Sequence, residues 1–310
     1  MPKVSVIIPV YNGEQDLPEL LECLRSQTYP EDRVEYLIVD NGSTDGTNRM
    51  LRESVEVRLL QESSIQSSYA ARNCGIRAAT GEILVFTDAD CRPESHWLQD
   101  LIAPFNQETV GWVAGEIQAL PGDSLLEKFA DRQATLSQKH TLTHHFYPYG
   151  QTANLAVRAE VFRTVGLFRP YLTTGGDADL CWRIQQQTTW QWRFAEMAVV
   201  RHQHRRTVGE LRSQWRRYGK SNRYLHELHG IDLMPDRDRQ YYGYRIARWM
   251  LKELPRAVVN LPMGKSDWLD CVKTPIELIC MSSRSEGQRS VVLPEEAWAI
   301  AYLMPEVMVE

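Results

Sequence analysis

The chain has 310 residues, of which 43% are hydrophobic and 24% are charged, with a formal net charge of −5. This is enough apolar material for one large core or two smaller ones, and the acidic balance argues against a general nucleic-acid binder. The six cysteines include no Cys-x-x-Cys pair, which argues against a zinc ribbon or redox dithiol and predicts buried free thiols of a reducing compartment.

The first hundred residues alternate between predicted strands and helices. Short apolar, partly β-branched runs predict buried strands over residues 4–8, 37–39, 57–60 and 83–86. Between them we expect helices over residues 17–24, 44–53 and 67–79, the last ended by Gly81 as a C-terminal glycine. The alternation predicts a doubly wound α/β layer with a mostly parallel sheet.

The remainder of the chain is less regular. We expect strands over residues 110–118 and 155–158, a helix over 177–187 and a basic helix over 207–224. From about residue 239, helical stripes punctuated by prolines predict a helical C-terminal extension.

Nothing in the sequence predicts export or a membrane span. The first apolar run is shorter than the core of a signal peptide, and no small-residue cleavage site follows it. There is also no window of about 18 uninterrupted apolar residues. These features predict a cytoplasmic protein, and they leave open a peripheral position on the inner face of a membrane.

Acidic turns follow two of the predicted strands. Asp40 ends the second strand, and Asp88-Ala89-Asp90 follows the fourth. In a parallel sheet both turns face the crevice beyond the carboxyl ends of the strands, and Asp88 and Asp90 have the spacing to converge on a divalent cation. Taken singly, an Asp-x-Asp pair is more often solvated surface, and the Asp40 turn is also good turn and helix-capping chemistry.

An ordered set of motifs over residues 4–205 resembles a family 2 glycosyltransferase, which implies the GT-A fold. The set comprises Val6-Ile7-Ile8-Pro9-Val10-Tyr11-Asn12, the Asp40 to Thr47 turn, Ala71-Arg72-Asn73-Cys74-Gly75, Ala79-Thr80-Gly81-Glu82, Asp88-Ala89-Asp90, Ala153-Asn154-Leu155, Val165-Gly166-Leu167-Phe168 and Gly175-Gly176-Asp177-Ala178-Asp179. The resemblance implies a catalytic domain at 1–205, with a nucleotide-binding half at 1–100 and an acceptor half at 101–205. Residues 206–310 then form the helical C-terminal region.

The resemblance also implies a donor site and a metal site. Its donor-nucleotide residues are Pro9, Tyr11, Asn12, Asp40, Asn41, Arg72, Asp88 and Ala89. Many relatives have a second Asp where this chain has Asn41; UDP or dTDP is the favoured nucleotide. Asp90, Asp88 and His202 would ligate Mg²⁺ or Mn²⁺, with His204 as the reserve to His202 and a structural histidine as the alternative. An ordinary salt bridge is the alternative role for Arg72.

The resemblance also implies a catalytic base, Asp177, in the motif Gly175-Gly176-Asp177-Ala178-Asp179. Many relatives carry Glu-Asp where this chain has Gly176-Asp177, and direct displacement needs a base opposite the leaving group. A helix cap is the alternative role for Asp177, and Asp179 is the alternative base. Gly176, Trp182 and Asn154 fall on the acceptor side.

Eight Lys or Arg residues and one acid, Glu210, lie between Arg201 and Arg223. They are either a solvated helix face or a surface for diphosphate, a lipid phosphate or an anionic membrane. Together these features predict a non-processive, inverting, metal-dependent glycosyltransferase with a glycan or lipid-linked acceptor. Whether the protein forms a homodimer is left open. The alternative is a nucleotide-sugar-binding pseudoenzyme or assembly module.

Overall fold

The computed structural model describes residues 1–303, which divide into two compact units. The sheet unit contains residues 1–118, 136–202 and the segment that begins at Pro294. The helical unit contains residues 119–135 and 203–293. The candidate site lies in the sheet unit.

The described residues form one eight-stranded sheet. Its strands are β1 Val4–Val10, β2 Val34–Asp40, β3 Arg58–Gln61, β4 Ile83–Phe86, β5 Cys91–Pro93, β6 Val110–Ala119, β7 Leu155–Arg158 and β8 Gln191–His202. Their order is β3-β2-β1-β4-β7-β6-β8-β5. The β3-β2-β1-β4 half is parallel, whereas β7 runs antiparallel to β4 and to β6, and β5 runs antiparallel to β8.

Helices cover the sheet. In the sheet unit they are α1 Leu17–Arg25, α2 Thr47–Glu53, α3 Ser68–Ala78, α4 Trp97–Ile102, α6 Gln138–Leu142, α7 Ala159–Val165 and α8 Gly176–Gln187. All seven residues of β1 are buried, because the strand lies between β2 and β4 in the middle of the parallel half. The predicted α/β fold, with a mostly parallel sheet flanked by helices and a helical C-terminal region, is confirmed.

The predicted glycine cap at Gly81 is wrong. Helix α3 ends at Ala78, the next residue, Ala79, has extended backbone, and Gly81 is not among the glycines with positive φ. Position 81 is glycine for another reason, since a Cβ there would lie 2.5 Å from the Ser5 backbone nitrogen. The Gly81 amide instead donates to Ser5 Oγ at 2.8 Å.

The helical unit packs two long helices closely together. Its helices are α5 Leu125–Arg132, α9 Val208–His229, α10 Arg239–Arg248, α11 Leu254–Asn260 and α12 Trp268–Arg289. A Cβ at Gly219 of α9 would lie 1.9 Å from the Arg284 carbonyl oxygen, and one at Gly287 of α12 would lie 2.0 Å from that of Arg216. The two glycines therefore allow the backbones of α9 and α12 to touch.

Two predictions from composition can be checked in the described part of the chain. All six cysteines are free thiols, and four of them are buried. Among residues 1–303, no helix combines the length and the apolar character that crossing a bilayer requires.

Candidate active site

The loops that follow β1 and β2 are tied together by side-chain hydrogen bonds. The Asn12 amide donates to Ser43 Oγ at 2.8 Å, and the Thr44 amide donates to Asn12 Oδ1 at 2.8 Å. Asn12 holds a positive φ of 52°, a conformation that asparagine adopts more readily than most residues. The Gly13 amide donates to Thr47 Oγ1 at 2.9 Å. These hydrogen bonds join residues 12–13 to residues 43–47 at the carboxyl ends of β1 and β2. We call these two joined loops the rim.

Asp40 and Asn41 lie beneath this rim, and both are buried. Asp40 accepts from the Ser43 amide and from Asn48 Nδ2, each at 3.0 Å. Asn41 donates its amide protons to the backbone carbonyls of Glu62 at 2.7 Å and Ile65 at 3.0 Å. The side-chain nitrogen of Asn41 is therefore committed to backbone, which fixes the orientation of the amide.

Asp88, at the end of β4, pairs with Arg72 of α3. The Arg72 Nη2 to Asp88 Oδ1 distance is 2.5 Å, and the Arg72 side chain is 4% exposed. Burial raises the pKa of the Asp88 carboxyl, as does the nearby Asp90, whereas Arg72 opposes both. Among the described residues Arg72 Nε has no hydrogen-bond partner although it is buried. The salt bridge given as the alternative role for Arg72 is therefore present. One donor of the Arg72 guanidinium, Nε, remains without a hydrogen-bond acceptor among the described residues.

Asp90 and His202 are brought together by the short strand β5. Cys91 is paired with His202 across the β5–β8 ladder, and this register sets Asp90 Oδ2 3.1 Å from His202 Nε2. Asp90, Cys91 and His202 place ligand atoms within 4.8 Å of one another.

The donor set at this cluster fits a hard divalent cation through its carboxylate and imidazole. Burial, with the charges of Asp90 and Asp88, raises the pKa of the Cys91 thiol well above its ordinary value. The thiol therefore keeps its proton, and it faces the Ala153 carbonyl at 3.9 Å. Asp90 and His202 are the ligand types that Mg²⁺ or Mn²⁺ accepts, and Asp88 lies two residues before Asp90 in the chain.

Asp177 lies at the second position of α8, held by two donors. Its Oδ1 accepts from the Tyr69 hydroxyl at 2.8 Å, and its Oδ2 accepts from the Thr152 amide at 3.3 Å. The Tyr69 hydroxyl in turn accepts from the Gly176 amide at 2.8 Å. Burial and the charge of Asp177 raise the pKa of Tyr69 well above its ordinary value, so the hydroxyl stays protonated and able to donate.

Helix α3 links the two halves of this site. Tyr69 and Arg72 are three residues apart and therefore lie on one face of the helix. Tyr69 contacts Asp177, Arg72 contacts Asp88, and the Arg72 guanidinium lies 5.4 Å from the centre of the Tyr69 ring. Sequence reasoning missed Tyr69; its position one turn before Arg72 in a helical segment was the available signal.

Other predicted residues lie elsewhere in the sheet unit. Asn154 is fully buried and bonded to Trp97 Nε1, at 2.8 Å, and to two backbone carbonyls. Trp182 is also fully buried, and its indole donates to the Tyr147 carbonyl at 2.8 Å. Neither side chain reaches the surface, and the polar atoms of both make their hydrogen bonds inside the core.

Asp179, the alternative base, is fully enclosed by two arginines. Its two oxygens lie 3.0 Å from Arg169 Nε and 3.0 Å from Arg183 Nε, and its side chain is 0% exposed. Asp179 is thus a structural anion. Asp177, the other carboxylate of this motif, contacts Tyr69 of α3.

The first predicted donor residues differ in exposure. Pro9 is buried inside β1, where it pairs with Val39 of β2. Tyr11 follows the strand and is 52% exposed, and Ala89 is half-buried between the two acidic residues of its motif. Of these three, Tyr11 offers the largest free surface to a ligand.

The sequence profile described as glycosyl transferase family 2 matches residues 5–168, more than half of the chain. The chain belongs to this family. Among curated relatives, it is 37% identical over 182 residues to the glycosyltransferase AglE of Haloferax volcanii, covering 57% of this chain and 59% of that protein. It is 28% identical over 225 residues to the pre-mycofactocin glycosyltransferase of Mycobacterium tuberculosis, covering 70% and 46% respectively.

Solved structures of glycosyltransferases share the fold. The mannosyltransferase PcManGT from Pyrobaculum calidifontis, solved with GDP-Man and Mn²⁺, superposes with a TM-score of 0.61 at 18% identity, covering 93% of this chain and 87% of that one. The GT-A fold implied by the family resemblance is therefore confirmed. The chain spans only about half the length of the two curated relatives named above.

Proposed function

We propose that this protein is a metal-dependent, inverting glycosyltransferase that moves one sugar from a nucleotide-diphosphate donor to an acceptor hydroxyl. The observation that carries the proposal is the arrangement around α3. A single helix face holds the carboxylate beside the cation cluster, Asp88, and the carboxylate expected to act as base, Asp177. Family membership and the named glycosyltransferase relatives support it.

The donor nucleotide is proposed to bind under the rim formed by the loops after β1 and β2. Tyr11 offers an exposed ring for a nucleobase. Because the Asn41 nitrogen is occupied by backbone carbonyls, its carbonyl oxygen is the atom that would accept from an N–H of the base, which suits UDP or dTDP. Arg72 Nε, buried and without a protein acceptor in the described chain, suits a ribose or diphosphate oxygen.

Asp90, His202 and Asp88 are the residues proposed to hold Mg²⁺ or Mn²⁺. When bound, the cation supplies positive charge that offsets the charge growing on the departing diphosphate. Arg72 adds a second positive charge beside Asp88 and opposes the rise that burial causes in the pKa of that carboxyl.

Asp177 is proposed to take the proton of the acceptor hydroxyl. As the acceptor oxygen forms its bond to the anomeric carbon, the bond from that carbon to the diphosphate oxygen breaks, and its electron pair leaves with the nucleoside diphosphate. Attack from the face opposite the leaving group inverts the anomeric configuration. Tyr69 acts as a positioning residue, since its hydroxyl fixes one carboxylate oxygen while the Thr152 amide holds the other.

The remaining assignments are part of the same proposal. Catalysis belongs to residues 1–205, with a nucleotide half at 1–100 and an acceptor half at 101–205. The acceptor is a glycan or a lipid-linked saccharide. Gly176 stands beside the base where many relatives carry a larger acid, and the Tyr69 ring fills the space that a side chain there would need.

The test is donor binding and transfer by matched variants. Calorimetry with UDP-, dTDP- and GDP-sugars, with and without Mn²⁺, should identify a donor whose binding depends on the cation. Asp90→Asn should remove that dependence. Asp177→Asn should bind the donor as the wild type does and lose transfer by orders of magnitude, whereas Asp32→Asn, at an exposed position away from the site, should change neither.

Contrary results are equally specific. Undiminished Mn²⁺-dependent binding by Asp90→Asn would remove Asp90 from the cation site. Normal transfer by Asp177→Asn would move the base elsewhere. A wild-type protein that binds a donor tightly but neither transfers nor hydrolyses it would be a nucleotide-sugar-binding module instead of an enzyme.

A further inference from the structure

The segment over residues 239–260 is a continuous helical stretch with two unlike sides. It consists of α10, a π-helical turn at Trp249–Glu253 and α11. In an α-helix, residues four apart differ in direction around the helix axis by about 40°. The π turn has more residues per turn, so it offsets part of this rotation. Residues four apart therefore stay on one side through the whole segment.

One side is fixed to α12 by residues spaced by four. Arg245 pairs with Glu277 at 3.1 Å, and Trp249 Nε1 donates to the Cys271 carbonyl at 2.9 Å. Glu253 accepts from Thr274 Oγ1 at 2.6 Å, and the next residue in the series, Ala257, is buried. Positions 245, 249, 253 and 257 thus form the inner side.

The opposite side is apolar and open to solvent. Two residues along the helix is about 200° around it. The side opposite the anchors therefore carries Ala247, Leu251, Pro255 and Val259, and all four are exposed. Leu251 is 82% exposed and Val259 65%. The adjoining stripe adds three exposed apolar residues, Ile246, Met250 and Val258. An uninterrupted exposed apolar band of this kind marks an interaction surface.

Cations line the other edge of this band. Arg248, Lys252 and Arg256 are again four apart and are all exposed. Between Arg237 and Lys265 the chain has seven Lys or Arg residues and two acids, Asp238 and Glu253. One of the two acids, Glu253, faces α12 and Arg248. The charge beside the apolar band is therefore positive.

We propose that this band, Ala247, Leu251, Pro255 and Val259 with its flanking residues, rests on an anionic lipid bilayer. Apolar side chains beside a row of cations suit the boundary between acyl chains and negative head groups. A second copy of the chain fits less well, because each copy would bring the same row of cations to the contact. The proposal goes beyond the proposed function, and its test needs no turnover.

Vesicle sedimentation of the full chain tests the proposal. The protein should sediment with phosphatidylcholine vesicles that contain phosphatidylglycerol, less so in high salt, and not with phosphatidylcholine alone. Lys252→Gln with Arg256→Gln should weaken the partition coefficient by about 25-fold, about five-fold for each charge. Leu251→Ser with Val259→Ser should also weaken it, without unfolding the protein, because both side chains are exposed.

Matched variants in the sheet unit serve as controls. Val55→Ser with Met197→Ser removes apolar residues that are 99% and 75% exposed, and Arg33→Gln with Lys139→Gln removes two exposed cations. Both should leave sedimentation unchanged. Absence of binding by the wild type, equal binding to neutral vesicles, or equal loss in the control variants would overturn the proposal. A wild-type dimer that Leu251→Ser with Val259→Ser converts to a monomer would do so too.

Discussion

The ring of Tyr69 occupies the space that a side chain at Gly176 would need. A Cβ built on Gly176 would lie 2.7 Å from Tyr69 Cζ and within 2.9 Å of two further ring carbons. The same two residues share a hydrogen bond, from the Gly176 amide to the Tyr69 hydroxyl. Gly176, which stands where many relatives have Glu, is therefore the residue that leaves room for the ring of Tyr69 on helix α3.

Alanine at position 176 should destabilise the protein through this contact. Over-packing of a buried site costs about 1–3 kcal/mol, so Gly176→Ala should lower the melting temperature measurably. In a Tyr69→Ala background the same change should cost nothing further, because the obstructing ring is gone. Gly243→Ala is the control: a Cβ there meets nothing within 4 Å, so in helix α10 it should be neutral or stabilising. Additive costs at positions 69 and 176 would contradict the pairing.

Removing only the Tyr69 hydroxyl should affect turnover more than donor binding. Tyr69→Phe keeps the ring and removes the hydrogen bond to Asp177, so kcat should fall by roughly 10- to 100-fold. The KM for the donor should stay nearly constant, since the change lies on the acceptor side. Tyr29→Phe, which removes one hydroxyl donated to the Pro2 carbonyl, is the matched control. A purely structural role for Tyr69 would lower the melting temperature and leave kcat unchanged per folded molecule.

The buried anion Asp179 should be essential for stability. Asp179→Ala would leave Arg169 and Arg183 in the core without their shared carboxylate, and breaking such a pair costs about 3–5 kcal/mol. Denaturant unfolding of the purified variant measures the loss. Asp131→Ala, at an exposed position of α5, should stay within about 0.5 kcal/mol of the wild type. A loss of that small size for Asp179→Ala would mean that the two arginines find other acceptors.

Glu35 should make the stability of the sheet depend on acid pH. Burial alone would raise the pKa of this carboxyl, but hydrogen bonds from Ser5 and Thr80 outweigh burial and bring the pKa below its ordinary value of 4.5. A depressed pKa contributes stability above about 4.5 that is lost as the pH falls through the lower, folded-state pKa. Melting curves of Glu35→Gln and the wild type should therefore differ most near neutral pH and converge in acid. A difference in melting temperature that stays constant with pH would mean that the substitution acts through packing.

The parallel half of the sheet could be predicted because each of its central strands is a buried apolar run. Residues 83–86 and 155–158 were predicted with the bounds of β4 and β7, whereas β1 and β2 extend further than predicted. Strand β5 was missed, since its three residues include Arg92 and Pro93 and show no hydrophobic pattern. Yet this strand is what brings Asp90 to His202.

Contacts between distant segments explain the other omissions. The Tyr69 hydroxyl meets a carboxylate 108 residues away, and no local pattern records that contact. Asn154 and Trp182 were predicted at the acceptor side because they stand in family motifs, but their polar atoms are used inside the core. A residue in a family motif can thus stabilise the core as well as contact a ligand. The order of the motifs in the sequence does not distinguish these two roles.

Arg169, which pairs with Asp179, also limits where the chain can be truncated. Its Nη1 donates to the carbonyls of Ala297 and Trp298, at 2.8 and 2.7 Å, and the Leu167 amide donates to Ala301 at 2.8 Å. A truncation after Leu293 would remove every one of these acceptors, although it falls where the helical unit ends. An expressed fragment should therefore retain the residues through Ala301, and a protease cut between Leu293 and Ala297 should loosen the packing around α7 and α8.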